Sequence, residues 1–153
     1  MIFLITDRTQ EDVDSAKNII DSKVKLFLEL TDEDLITLER GTIGIGTINR
    51  IGSKQEELKN KMESNGYFVK NIKTKTWDYS DIFGETDFLQ LINNTILLKE
   101  AFFVYSDTPA NIYLSYDYEN INNLEKILVD IEKILDYMIA NFRECGTFYS
   151  GEG

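Results

Sequence analysis

The sequence predicts a mainly α-helical protein, a helical bundle with a long C-terminal amphipathic helix and a small two-stranded β appendage. Three observations predict it. Between Asn120 and Phe142, apolar residues recur at alternating steps of three and four: Ile121, Leu124, Leu128, Ile131, Leu135, Met138 and Phe142. That spacing lines them along one helical face. Further periodic segments each follow a residue suited to capping a helix. Only Tyr67–Trp77 and the last residues are rich in aromatic and β-branched side chains and poor in helix formers.

In chain order, Thr9 caps a helix carrying Val13, Ala16, Ile19 and Ile20, with Glu11 and Asp12 in its first turn, where the macrodipole favours acids. Thr31 repeats the device ahead of Asp32, Glu33 and Asp34. It opens a helix with Leu35, Ile36 and Leu38 that stops at Gly41. The stretch GTIGIGTINR that follows, Gly41–Arg50, is glycine-rich like a phosphate-binding turn. The offsets do not fit, because the third glycine of a dinucleotide fingerprint falls on Asn49 and no Gly-Lys-Ser/Thr follows. It reads as a turn between two helices, with glycine tolerated at positive φ. The next helix starts at Thr47 or at the capping box Ser53-Lys-Gln-Glu56, carries Leu58 and Met62, and stops at Asn65-Gly66.

Tyr67–Trp77 is expected as a strand or extended edge. Thr86 is the expected N-cap of a helix that buries Phe88, Leu91, Ile92, Leu98 and Phe102. Tyr113–Tyr116 reads as a third short strand. The long helix follows, its stripe widened by Ile127 and Ile134, with Asp130, Glu132, Lys133 and Asp136 on the opposite face. Residues 145–153 are expected as an extended C-terminal tail, with Phe148-Tyr149 pairing with Tyr67–Trp77. Residues 1–153 form one domain, without repeats or a shift in composition.

The chain has 153 residues, 42% of them hydrophobic, and 27 Asp+Glu against 16 Lys+Arg for a net charge of -11. Such a charge opposes binding to nucleic acid or to anionic lipid. MIFLITDRTQ is too short an apolar start for a signal peptide or a membrane span, so the expected product is soluble and made in the cytoplasm without membrane insertion. The sequence holds no histidine and a single cysteine, Cys145. An internal disulfide, cysteine-cluster metal sites and histidine-activated nucleophiles are therefore excluded. The carboxylates at Asp32–Asp34, and Asp12 with Asp14, lack the alternating ligands of a calcium loop and read as helix-start electrostatics. Cys145 stands beside Glu144, which discourages a thiolate, so it reads as packing or incidental. No catalytic residue, cofactor or metal is expected. Trp77, Tyr79, Tyr113, Tyr116, Tyr118, Phe148 and Tyr149 lie outside the helical stripes. They either close the ends of the bundle or contact a partner, and Trp77, Tyr79, Phe148 and Tyr149 are the candidate partner-binding residues.

TDRTQEDVD near the start, TINRI after a short helix and turn, TKTWDYSDI ahead of a helix with LINN, and the final NINNLEKILVDIEKILDYMIANFRECGTFYSGE carry a resemblance across nearly the whole chain. Together they are similar to a family of small proteins and domains in the tails of phages and prophages of Gram-positive bacteria, encoded among baseplate and tail-fibre components. The most specific piece is the terminal helix followed by Tyr149-Ser150-Gly151-Glu152. Where that family usually has an aromatic, asparagine-containing turn and an acidic residue before Asn-Arg, this chain has Gly44-Ile45-Gly46 and Ile48. The resemblance implies a non-enzymatic structural component of a virion or phage-tail-like particle, docking onto other tail or baseplate proteins in several copies set by the tail's symmetry. The alternative is a soluble acidic regulatory or inhibitory module that occupies a basic protein surface.

Overall fold

The computed structural model describes residues 3–110 and 112–152, with side chains described through Asn141. It is mainly helical: α1 Gln10–Ile19, continued by a π-helical turn Ile20–Val24, α2 Asp32–Gly41, α3 Ile45–Ser64, α4 Glu85–Glu100 and α5 Tyr118–Glu152. The threonine caps form as the residue pattern requires. The Thr9 side chain accepts from the Asp12 N–H while Asp12 accepts from the Thr9 N–H, and Thr31 and Asp34 repeat the exchange. Two other boundaries differ. α3 begins at Ile45 with Gly44 as N-cap, ahead of both Thr47 and Ser53. α4 begins at Glu85, because Asp87 accepts from the Gly84 N–H at 2.9 Å and fixes the start ahead of Thr86. At the other end of α3, Gly66 takes φ +87°, the left-handed conformation that closes a helix cheaply only at glycine.

α1 and α2 form an antiparallel hairpin. Arg40, at the end of α2, donates to both carboxylate oxygens of Asp12 at 3.2 Å, and Lys23 reaches Asp34 at 2.5 Å at the opposite end. The Arg40 guanidinium holds the Asp12 carboxyl below the usual carboxylate range, with help from the Thr9 N–H. Gly41 serves the packing of this hairpin, and its φ is not positive. A Cβ there would lie 2.1 Å from the Asp12 carbonyl oxygen and 2.4 Å from Ala16 Cβ. Gly41→Ala is therefore expected to force the helices apart at a cost of about 1–3 kcal/mol, read as a lowered melting temperature. At the hairpin tip Phe27 adopts φ 56°, which costs a non-glycine residue about 1–2 kcal/mol.

α3, α4 and α5 run in parallel. Along α3 and α5 the ion pairs advance together: Arg50 with Glu125 at 3.5 Å, Lys54 with Glu132 at 2.7 Å, then Lys61 with Asp136. Parallel neighbours cannot be joined by tight turns, so residues 65–84, and 101–110 with 112–117, return along the bundle before the next helix starts. The core lies among Ile51, Leu58, Met62, Phe88, Leu98, Ile121, Leu124, Leu128, Ile131 and Leu135. On α5 it takes up the expected stripe through Leu135, while Lys133 and Asp136 are exposed. Asp130, expected on the outer face, is instead fully buried, accepting from the Thr108 hydroxyl at 2.6 Å and pairing with Lys126. The segment before α5 folds back over that face and removes it from water.

The expected β appendage is absent, since no strand occurs among the described residues. Tyr67–Trp77 forms no strand, with Asn71 in the left-handed region at φ 66°, and Tyr113–Tyr116 is likewise irregular. Residues 145–152, expected as an extended tail, continue α5 to Glu152. Once a long helix is formed, each further residue adds one hydrogen bond without a new nucleation cost, and this outweighs the weak helix preference of the segment.

What replaces the sheet is a set of side-chain clamps. The Asn49 amide donates to the Trp77 carbonyl at 2.8 Å and accepts from the Trp77 N–H at 2.7 Å. Asn94 does the same for Lys73, Asn120 for Tyr113 and Asn122 for Arg8. A primary amide carries a donor and an acceptor in the geometry of a peptide group, so each clamp satisfies both backbone groups that a strand ladder would have paired.

Candidate partner-binding surface

The aromatic segment that precedes α4 is positioned by two of these clamps. Asn94 pins Lys73 and Asn49 pins Trp77, so the stretch between them is held against α3 and α4 at both ends. Asn94 is itself fixed, because its amide donates to Gln55 at 3.0 Å and Gln55 donates to the Leu91 carbonyl at 2.7 Å and to the Thr95 hydroxyl at 2.8 Å. All three side chains are buried, and each polar atom finds a partner.

Trp77 is half-buried. Its ring meets Phe83 edge-on at 5.0 Å, Phe83 approaches Phe88 at 6.4 Å, and Phe88 stacks on Tyr116 at 4.4 Å. The Lys75 ammonium sits 4.1 Å from the Trp77 ring centroid and 3.3 Å from Asp81. Beyond Trp77 the chain makes a tight turn. The Asp81 N–H donates to the Asp78 carbonyl at 3.0 Å, and the Asp81 carboxylate accepts from the Asp78 N–H at 2.9 Å. That N–H, then Lys75, lowers the Asp81 carboxyl below its ordinary value. The turn leaves Tyr79 92% and Ile82 90% exposed.

The four candidate residues are thus not equivalent. Trp77 is an anchor that closes one end of the bundle, and Tyr79 is a displayed side chain. The side chains of Phe148 and Tyr149 lie outside the described residues. Of the other aromatics, Tyr113 and Tyr116 are both exposed, Tyr116 with one ring face stacked on Phe88. Phe27, Phe68 and Phe103 are exposed and were not among the candidates. Phe103 lies past the end of α4 at Glu100, where the helical periodicity that places Phe102 no longer applies.

A hollow of about 200 Å³ between Lys73, Trp77 and Gln90 borders this surface. A larger one, about 350 Å³, lies between Arg8, Arg40, Tyr116 and Tyr118. Its arginines are already engaged, Arg8 with Glu125 at 2.8 Å and Arg40 with Asp7 and Asp12, which leaves no free cation for an anionic ligand. Among the described residues no group of His, Cys, Asp and Glu is arranged to hold a metal ion, and no helix is long and apolar enough to cross a membrane.

Asn49→Ala tests the positioning. It leaves the Trp77 N–H and carbonyl without their partner, at an expected cost of about 1–3 kcal/mol. Trp77 is the sole tryptophan, so its fluorescence should shift toward that of a solvated indole before global unfolding begins.

No protein-family model, curated protein or solved structure matches the chain.

Proposed function

We propose that the protein is a non-enzymatic structural component of a phage or phage-tail-like particle, a baseplate or tail-fibre adaptor present in several copies and docked onto other tail proteins. One observation carries the reading. The sequence pieces that resemble phage tail proteins are the same pieces that lock the extended segments to the helices. TINRI contributes Asn49, LINN contributes Asn94, NINN contributes Asn120 and Asn122, while TDRTQ and TKTW supply the clamped Arg8 and Trp77; the clamped Lys73 directly precedes TKTW. These residues are spent on rigid architecture rather than converging on a shared pocket, which fits a part that transmits and receives contacts. In this reading α5 is the amphipathic spine of the adaptor, and the Asp78–Asp81 turn displays Tyr79 to a partner.

The net charge of -11 favours one second reading, a soluble acidic module that covers a basic protein surface. Fractionation of producing cells separates the two. A structural component sediments with assembled tails, whereas a regulator stays wholly in the soluble fraction. A chain lacking residues 148–153 is expected to keep its melting curve yet fail to join particles. Normal incorporation would reject docking through the C-terminal end.

A further inference from the structure

We propose that copies of this chain associate head to tail, the acidic, apolar-tipped α1–α2 hairpin of one copy seating on the basic return segment Tyr67–Trp77 of the next. This concerns contacts between copies and holds whether or not the protein belongs to a tail.

The hairpin supplies the first surface. Leu26, Phe27 and Leu28 at its tip are 63%, 96% and 56% exposed. The tip is not loose: the Phe27 N–H donates to the Val24 carbonyl at 3.2 Å and the Leu28 N–H to the Lys23 carbonyl at 2.9 Å. A phenylalanine held in water at φ 56° combines backbone strain with apolar exposure, a pairing typical of contact sites. The two lysines of the tip are neutralised locally, Lys23 by Asp34 and Lys25 by Asp21. Glu29, Asp32 and Glu33 behind it are exposed and make no ion pair among the described residues. The result is an apolar point with an acidic collar.

The return segment has the opposite character. Between residues 65 and 77, Lys70, Lys73 and Lys75 are the only charged residues, and all three are exposed on a chain that is otherwise strongly acidic. Lys75 is engaged by Asp81 and Trp77, whereas Lys70 and Lys73 enter no ion pair among the described residues. Glu56 approaches the middle of the segment, 3.4 Å from Thr74, and leaves the Lys70 end clear. Phe68, 77% exposed, provides the apolar counterpart beside Lys70. The asparagine clamps hold the Lys73–Trp77 part of the segment in place, so little ordering is lost on contact.

The Phe68–Lys70 end of the return segment lies away from the hairpin, although its other end, Trp77, is clamped to Asn49 beside Arg50. Arg50 ties the hairpin to the start of α3 through Glu39 at 2.6 Å, whereas Tyr67 packs on Phe102 past the ends of α3 and α4. The complement must therefore come from another copy. A contact between unlike patches is heterologous and propagates into a ring or a filament.

The experiment is light scattering on the purified chain over a concentration series at low and high salt. Association that grows with concentration and weakens above the physiological screening range of about 0.15 M is expected. Lys70→Glu with Lys73→Glu, and separately Glu29→Lys with Glu33→Lys, should each weaken association at least tenfold. Mixing the two variants in equal amounts should restore it, since both junctions in the mixture again pair opposite charges. Phe27→Gly relieves the strained φ and should hold or raise the melting temperature while still weakening association. A wild-type chain that stays monomeric up to its solubility limit would overturn the proposal. So would association unchanged in the charge variants, failure of the mixture to recover while both variants keep native melting curves, or a Phe27→Gly variant that associates like wild type.

Discussion

Leu128→Asp is expected to leave no folded protein at room temperature. Leu128 is fully buried on α5, between the equally buried Leu124 and Ile131 on the same face. The substitution removes an apolar side chain, at about 2–5 kcal/mol with its cavity, and places a carboxylate where no partner is available. The group must either stay charged without solvation or take up a proton at a further cost of several kcal/mol. Domains of this size hold about 5–15 kcal/mol in reserve, so the sum removes most or all of it. Far-UV circular dichroism should show the loss of helix, while Lys133→Asp, at an exposed position of the same helix, should melt like wild type. A native melting curve for Leu128→Asp would mean that this face of α5 does not pack against α3 and α4.

The second large effect is expected at Glu125. This carboxylate has no solvent exposure, receives the Arg8 guanidinium at 2.8 Å and the Ile5 N–H, and lies 3.5 Å from Arg50. Arg8 is equally withdrawn, donating also to the Ile5 carbonyl at 2.6 Å and to Asn122 at 3.3 Å. Glu125→Ala leaves a buried guanidinium without its counter-charge, at about 3–5 kcal/mol. It also frees the segment before α1, so amide exchange near Ile5 should speed up more than elsewhere. Glu39→Ala removes a half-exposed partner of Arg50 and should cost no more than about 1 kcal/mol. The double variant Arg8→Met with Glu125→Leu should recover much of the loss, because replacing both charges removes the desolvation penalty. Equal costs for Glu125→Ala and Glu39→Ala would show that the Arg8–Glu125 pair is hydrated.

The two variants probe features of very different visibility. Leu128 was legible because the three-and-four spacing from Ile121 to Leu135 is a property of the chain alone. Glu125 was not, since a glutamate one step off that stripe looks the same in sequence whether it meets water or the arginine at position 8. Asp130 shows the same limit, assigned to the outer face by its position and buried by Thr108 from a distant segment. In the candidate surface, Trp77 and Tyr79 were picked out for their chemistry, but their division into anchor and displayed side chain depends on the Asn49 clamp and the Asp78–Asp81 turn.

By itself the sequence determined where the helical periodicity lies and the Thr9 and Thr31 caps, which act within a few residues, and it determined the charge and the lack of histidine that restrict the chemistry. The tertiary structure alone decided that the extended segments form no sheet. Tyr67–Trp77 has the side chains of a strand, but a strand needs a neighbour for its backbone groups. Three parallel helices place asparagine amides, rather than another strand, opposite those groups. An amide satisfies the same donor and acceptor as a peptide, and which asparagine meets which backbone residue is settled only when segments far apart in the chain come together.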